Sequence, residues 1–337
     1  MLSIGIVGLP NAGKSTLFNA LVGSRQANAE NYPFCTVEPN VGVVEVPDDR
    51  LWKLAEVTDS EETVPATIEF VDIAGLVEGA HEGEGLGNEF LSHISEVDAI
   101  AHVIGDFEDE STEDIKPKKA GETINLELIM SDWQKVSTHK EDAKRQTKGK
   151  TDKEDMVRLN LLRKLNENLQ EGVPARDLEY KDKEKEFLSE LNLLSAKPQF
   201  YVINTAKDSL GDINLTIEDA AEHIYVNAKL EEEMVDMDEE EAEVFSREFG
   251  LEEQGLNKLI RTGYDILDLV TFFTFNDKET RGWELQRDST APQAAGKIHS
   301  DFQENFIKAE VTNWKNFVNE ESWKKVKEKG DMNLAGS

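Results

Sequence analysis

The chain has 337 residues, enough for two or three domains, with 38% hydrophobic and 31% charged side chains. No apolar run approaches the roughly 18 residues a membrane span needs, and the opening "SIGIVGL" has neither the basic segment nor the cleavage site of a signal peptide. Acidic side chains number 69 against 37 basic ones, a formal charge of −32 that repels nucleic acid and anionic lipid overall and confines any RNA contact to local basic spots.

Cys35 is the only cysteine, so neither a disulfide framework nor a zinc cluster is available. A monomer in a reducing cytoplasm, with no membrane partner, is the expected species. Residues 1–105 alternate strand-like and helical stretches. "SIGIVGL", "VGVVEV", "ATIEFVDIAG" and "DAIAHVIGDF" read as buried strands. "KSTLFNALVG" and "DDRLWKLAEV" read as helices, the second with acids at its start. Alternation of this kind predicts an α/β fold with a parallel sheet covered on both faces.

From about Gly121 to Leu194 the pattern becomes helical. "ETINLELIMSDWQKV", "DKEDMVRLNLLRKLNENLQEG" and "KDKEKEFLSELNLLS" carry apolar residues at helical spacing, with the polar "THKEDAKRQTKGKTDK" between the first two. Two long helices joined by a polar turn predict a coiled-coil-like arm; helices packed flat on the sheet are the alternative. "KPQFYVINTAK" returns to a buried strand, which makes the arm an insertion. "EHIYVNAKLEEE" reads as a last strand and the loop beyond it. An acidic helix follows in "LEEEMVDMDEEEAEVFSREFG", then a helix in "GLNKLIRTGYDILDL". "VTFFTFNDKETRGWELQ" reads as a hairpin that opens a small further domain near Val270.

Gly8 to Ser15 fits G-x-x-x-x-G-K-[ST], placed after a strand and before a helix as a P-loop requires. Such a loop wraps its backbone N–H groups around a β-phosphate. Lys14 is placed to reach the β- and γ-phosphates and the Ser15 hydroxyl to ligate Mg²⁺. Asp72-Ile73-Ala74-Gly75 ends a strand about 60 residues later, with Asp72 placed to hold Mg²⁺ through water and the Gly75 N–H to sense the γ-phosphate. Thr36 lies in a loop between them, where a threonine can close on Mg²⁺ when the γ-phosphate is present.

Two positions depart from a signalling GTPase. Leu76 follows the D-x-x-G glycine where Gln would orient the attacking water, and its side chain makes no hydrogen bond. The water must be held by backbone, a partner or a cation, and Asn11 is placed either to help hold a monovalent cation such as K⁺ or to make a plain loop contact. In "VINTAKD", Asn204 begins the guanine-reading pattern but Lys207 stands where its Asp belongs, and Asp208 comes one residue late. An ammonium cannot accept the guanine N1–H and N2–H₂ hydrogens, and a carboxylate facing adenine N1 would be repulsive. Losing that Asp weakens the case for GTP and removes a barrier to ATP; a shifted loop that restores Asp208 keeps GTP as the alternative. A small-molecule kinase is disfavoured because no arginine lid is evident.

The stretches "GIVGLPNAGKSTLFNAL", "NYPFCTVEPNVGVVEVPDDRL", "EFVDIAGLVEGAHEGEGLGNEFL" and "APQAAGKIHSDFQENFIKAEV" resemble the YchF / Obg-like ATPase family, within the Obg-related translation-factor P-loop NTPases. The resemblance runs almost end to end. It implies a nucleotide-binding domain over 1–118 and 197–268, an inserted helical arm over 119–196, and a C-terminal α+β TGS (ubiquitin-like) domain over 269–337. It also implies ATP hydrolysis in preference to GTP with Mg²⁺, and association with a ribosome or ribosomal subunit. Local basic spots such as "KPKK" and "WKKVKEK" offer the arm and TGS domain a grip on rRNA, and the acid excess makes protein contacts an equal alternative.

Carried over by position, Asn11, Ala12, Gly13, Lys14, Ser15 and Thr16 cradle the phosphates, and Ser15 and Thr36 hold Mg²⁺. Asn204 and Thr205 lie at the base, with Ala228 and Leu230 in the segment that closes over it. Leu76 matches the family's hydrophobic replacement of the catalytic Gln. Three departures stand out. Lys207 occupies the place of a family Glu. Asp114 stands where many members carry a His, and His81 and His102 read as surface or core residues rather than substitutes. Members also continue past "KGDMNLAGS" through another strand pair, so the TGS domain is expected to be incomplete, with an unpaired edge. Two functional readings remain: a slow Mg²⁺-dependent ATPase switch, and a nucleotide-gated ribosome-binding module whose turnover is incidental.

Overall fold

A computed structural model describes residues 1–25, 40–73, 86–106, 117–146, 152–205, 222–235, 237, 241, 244–245 and 255–336. In chain order the strands are β1 (Ser3–Gly8), β2 (Val41–Glu45), β3 (Glu62–Val64), β4 (Thr67–Asp72), β5 (Ala99–Asp106), β6 (Gln199–Thr205), β7 (His223–Val226), β8 (Leu269–Phe275), β9 (Glu279–Gln286), β10 (Lys308–Val311) and β11 (Asn333–Gly336). The helices are α1 (Lys14–Arg25), α2 (Asp49–Thr58), α3 (Leu86–Glu96), α4 (Pro117–Gln146), α5 (Lys153–Gln170), α6 (Asp182–Leu191), α7 (Ala228–Met234), α8 (Gly255–Ile266), α9 (Ala291–Ile298), α10 (Ser300–Glu304), α11 (Trp314–Glu320) and α12 (Trp323–Lys329). None of the described helices is long and apolar enough to cross a membrane.

Six strands make one sheet in the order β2-β4-β1-β5-β6-β7. β4, β1, β5, β6 and β7 run parallel, as the alternation of strands and helices predicts. β2 differs: it pairs antiparallel with β4. An edge strand satisfies one ladder only, so reversing it disturbs no second neighbour. Both faces are covered. Ile4, Ile6, Phe70 and Phe200 pack with Leu17 and Leu21 of α1 and Leu259 and Ile260 of α8. Val7, Ile73 and Ile100 pack with Ile94 of α3 and with Ile124 and Leu128 of α4 on the other face. His102 is fully buried in β5 beside Tyr201, with ring centroids 5.2 Å apart.

The long helix α4 serves both arrangements that its sequence left open. Its early residues Ile124 and Leu128 lie on the sheet. Further along, Ile129 and Val136 pack with Leu161, Leu162, Leu165 and Leu169, which places α5 alongside α4. A buried carboxyl group fixes α4 to the segment that leads back into the sheet. Asp132 is 1% exposed and accepts from Leu194 N (2.9 Å), Ser195 N (2.7 Å) and Ser195 Oγ (2.6 Å). Burial pushes its carboxyl group up from the ordinary range, and these hydrogen bonds pull it back down.

The C-terminal residues form the hairpin β8–β9, paired antiparallel as the residue alternation predicts, and a separate pair β10–β11. β9 takes β3 as its other neighbour, in parallel, so a strand from between α2 and β4 belongs to the C-terminal sheet. Nothing in the short, polar "ETV" announces that pairing. Hydroxyls reinforce it: Thr58 Oγ1 and Thr280 Oγ1 lie 2.7 Å apart, and Ser60 Oγ donates to Asn276 O at 2.7 Å. Leu54 of α2 packs against Phe317 and Val326.

Replacing Asp132 by Ala would leave two buried N–H groups and a buried hydroxyl without their acceptor. Asp132→Ala is expected to cost about 3 kcal/mol or more of stability, read as a lowered urea midpoint.

Candidate functional site

The carboxyl ends of the parallel strands β1, β4, β6 and β7 converge on one edge of the sheet, the edge where open α/β sheets bind ligands. β1 ends at Gly8, where an added Cβ would stand 2.4 Å from the Val103 carbonyl oxygen on β5. The turn into α1 then uses left-handed backbone at Asn11 (φ +63°) and Gly13 (φ +85°). Glycine adopts that region without steric cost, and Asn tolerates it better than other side chains. Ala12 N donates to Leu9 O at 3.3 Å and Leu17 N to Gly13 O at 3.0 Å, closing the loop and starting the helix. The first turn of a helix has N–H groups that lack intrahelical acceptors, which makes this an anion site by construction.

Lys14 is 7% exposed, and its Nζ donates to Leu9 O at 2.8 Å, so the side chain lies back along the loop. The next residue faces the opposite way. Ser15 is exposed, and its Oγ donates to Oδ2 of Asp72 at 2.9 Å. Asp72, 3% exposed, closes β4, so the P-loop and the D-x-x-G strand meet side chain to side chain. Thr16 is half-buried in the same helical turn.

On the other flank, β6 delivers Asn204 and Thr205, 5% and 1% exposed. The Asn204 amide bridges two segments: Nδ2 donates to Ala12 O at 3.0 Å and Oδ1 accepts from Ala228 N at 3.0 Å. The helix expected from Leu230 onward begins two residues earlier, at Ala228, as α7, so Ala228 and Lys229 are helical and not loop: Asn227 is the N-cap, with Oδ1 accepting from Leu230 N at 3.1 Å. Asn ahead of "AKLEEEM" is a readable N-cap signal. Leu230 is half-buried in the first turn of α7.

One buried residue had no sequence signal beyond its place in an acidic run. Glu231 is 4% exposed, and its Oε1 accepts from Gly255 N at 2.5 Å, at the start of α8. Burial pushes its carboxyl group up to about 7, while hydrogen bonds from the Gly255 and Leu256 N–H groups act in the other direction.

Contacts therefore join Ala12, Asn204 and Ala228, and separately Ser15 and Asp72, with Asn11, Gly13, Lys14 and Thr16 in the intervening loop and helix turn. Thr36, Gly75, Leu76, Lys207 and Asp208, together with Cys35, His81 and Asp114, lie outside the described residues.

Two family models match the chain. One, described as "50S ribosome-binding GTPase", covers residues 3–132; the other, the YchF GTPase C-terminal model described as "Protein of unknown function (DUF933)", covers 269–337. The "Ribosome-binding ATPase YchF" of Bacillus subtilis (strain 168) is 43% identical over 351 residues, spanning 99% of this chain and 95% of that protein. The protein of the same name from Escherichia coli O157:H7 is 42% identical over 343 residues, spanning 98% and 94%. The solved structure of the Schizosaccharomyces pombe YchF GTPase is similar with a TM-score of 0.90 at 32% identity, covering 99% of this chain and 94% of that one.

Glu231 makes stability depend on pH in a defined direction. Its folded value, about 7, lies above the ordinary 4.5, so the folded chain holds the proton more tightly than the unfolded one. This contribution is full below pH 4.5 and is lost as pH rises through about 7. Glu231→Gln, which keeps an oxygen acceptor and carries no charge, is expected to remove that slope and to stabilise the chain at pH 8 by about 1–3 kcal/mol in denaturant titrations.

Proposed function

The chain belongs to the YchF family, and we propose that it is a Mg²⁺-dependent P-loop nucleoside triphosphatase that hydrolyses ATP in preference to GTP and acts as a slow conformational switch on the ribosome. The observation that carries this reading is the 2.9 Å contact between Ser15 Oγ and Asp72, next to the buried Lys14 at the carboxyl edge of the sheet. Two oxygen ligands from different elements, side by side at a helix N-terminus, suit a hard divalent cation that also holds phosphate oxygens. Ser15 would hold Mg²⁺ directly, with Thr36, and Asp72 through water. When bound, the ion neutralises charge on the β- and γ-phosphate oxygens.

The protein's own groups supply the rest. Backbone N–H groups of Asn11 to Thr16 hold the phosphates. Lys14 exchanges its Leu9 carbonyl for the β- and γ-phosphates, a short swing of an amine already inside the loop. Asn204, by bracing Ala12 against Ala228, sets the distance between the phosphate and base sides, and Thr205, Ala228 and Leu230 line the base. Water then attacks the γ-phosphorus; a new P–O bond forms as the β,γ-bridging bond breaks, and the diphosphate leaves. The Gly75 N–H follows the γ-phosphate. Leu76 contributes no hydrogen bond to the water, which accounts for slow intrinsic turnover, and Asn11 with K⁺ is the candidate aid.

Lys207 lacks the carboxylate that would read guanine, which removes a barrier to adenine, and the bacterial relatives are named ATPases. The fission-yeast relative is named a GTPase, which keeps the alternative base in the test. Ribosome association rests on the names of those bacterial relatives and of the family model over residues 3–132. The arm and a TGS-type C-terminal domain are the proposed contact elements. In α12, however, Lys327 pairs with Glu310 and Lys329 with Glu320. That leaves the "WKKVKEK" spot a weaker RNA ligand than its sequence suggests and favours ribosomal protein as at least part of the surface. Leu76 also supports the second reading, a nucleotide-gated binding module with incidental turnover.

Lys14→Ala is expected to lower the hydrolysis rate by about 100-fold or more; unchanged turnover would overturn the enzymatic reading. Calorimetric titration with ATP and GTP at matched Mg²⁺ is expected to give the tighter constant for ATP, and tight GTP with weak ATP would reverse the base assignment. Ribosome binding compared with ADP, ATP and a non-hydrolysable ATP separates switch from module, and no nucleotide dependence would exclude both.

A further inference from the structure

We propose that Glu231 is the positioning residue for the base side of the nucleotide site, acting by locking α7 to the N-terminus of α8. The inference rests on the reading above, in which Ala228 and Leu230 line the base.

α7 spans only Ala228–Met234, too short to hold its own orientation. Its first turn is fixed locally by the Asn227 cap and by the Ala228 N–H bond to Asn204. Those two contacts act at one end. Toward the other end Met234 is buried and Val235 lies against Gly23 of α1, so the helix also packs on α1. Apolar packing of this kind is non-directional.

Glu231 adds a directed contact to α8. From the middle of α7 its carboxyl group reaches the opening turn of α8 and accepts from the Gly255 N–H at 2.5 Å. A carboxyl group there satisfies a donor that α8 cannot satisfy itself and complements the helix dipole. It is an expensive choice for packing alone, because a buried carboxyl group is desolvated and an apolar side chain of similar size is not. What only an oxygen acceptor provides is a directed bond between α7 and the start of α8. α8 is itself a rigid reference, since Leu259 and Ile260 are buried in the core beneath the sheet. The sequence of contacts from P-loop to core is then Ala12, Asn204, Ala228, Glu231, Gly255.

This placement separates the two halves of the ligand. The phosphates are held by the P-loop, which Glu231 does not touch; the base is held by segments that Glu231 orients. The test is calorimetric titration of wild type, Glu231→Ala and Glu231→Gln with Mg²⁺–ATP and, in parallel, with Mg²⁺ and inorganic tripolyphosphate. Glu231→Ala is expected to weaken ATP about tenfold, and to leave tripolyphosphate unchanged. Glu231→Gln, which retains an oxygen acceptor, is expected to stay within about twofold of wild type for both. Should the Ala variant fail to fold, Glu231→Leu fills the same volume without accepting a bond and is expected to show the same contrast. Equal weakening of ATP and tripolyphosphate, or undiminished ATP binding in both variants, would overturn the role assigned to Glu231. A wild-type chain that held tripolyphosphate but not ATP would instead overturn the base-side reading on which it rests.

Discussion

Asn204 is buried at the end of β6 with one hand of its amide on the Ala12 carbonyl and the other on the Ala228 N–H, each at 3.0 Å. These two bonds span the gap between segments that lie more than two hundred residues apart in sequence. A primary amide suits the task because it is the side-chain group that offers a donor and an acceptor at fixed geometry without charge. An Asp there could accept from Ala228 but would face the Ala12 oxygen with another oxygen. The loop that would hold phosphate and the helix that would meet the base therefore keep one distance, and every other feature of the site is built on either side of that brace.

A chain with a formal charge of −32 is a poor general attractor for a triphosphate. The site escapes this through short range. Beyond a Debye length of about 8 Å at physiological salt, the acidic surface is largely screened. Within that distance stand the first turn of α1 and Lys14, whose amine is held inside the loop by Leu9 O rather than spread into solvent. A nearly buried cation and N–H groups already aimed by the helix need little reorganisation to meet an anion. The large acid excess bears on solubility and on the sign of macromolecular partners, and leaves the loop's local field intact.

The legible parts of the sequence were those whose chemistry is local. "GLPNAGKST" specifies its own backbone through Gly8, Gly13 and the tolerance of Asn11 for positive φ, so the loop is recognisable without the rest of the fold. The parallel strands and α4 follow from apolar periodicity, though periodicity alone could not say that α4 would pack on the sheet at Ile124 and on α5 at Val136. Helix α7 was recoverable from the Asn227 cap, but the acids that follow look like a solvated face. Glu231 is hidden among them because its partner, the Gly255 N–H, is contributed by another helix's start, and a backbone donor leaves no mark in the sequence. β3 was equally obscure. Three residues, two of them polar, acquire strand geometry from the β9 edge rather than from their own propensity.

That obscure strand has a mechanical consequence. β3 lies in the C-terminal sheet, and β4, which ends at Asp72, begins after only Pro65 and Ala66. The two strands are successive lengths of nearly continuous extended chain, and extended chain resists stretching because its length is set by bonds and nearly fixed angles. Around the junction the C-terminal unit is held by more than strand pairing. Gly282 lies so close that an added Cβ would stand 3.1 Å from the Ala66 nitrogen, the Thr58 and Thr280 hydroxyls meet, and Leu54 shares a core with Phe317 and Val326. The strand that presents Asp72 to Ser15 is thus joined to the C-terminal sheet by two residues of backbone, while β1 and β2 hold it on both sides within the six-stranded sheet. The C-terminal unit and the nucleotide-side sheet therefore share one stretch of extended chain, and the register of β4 is set from both.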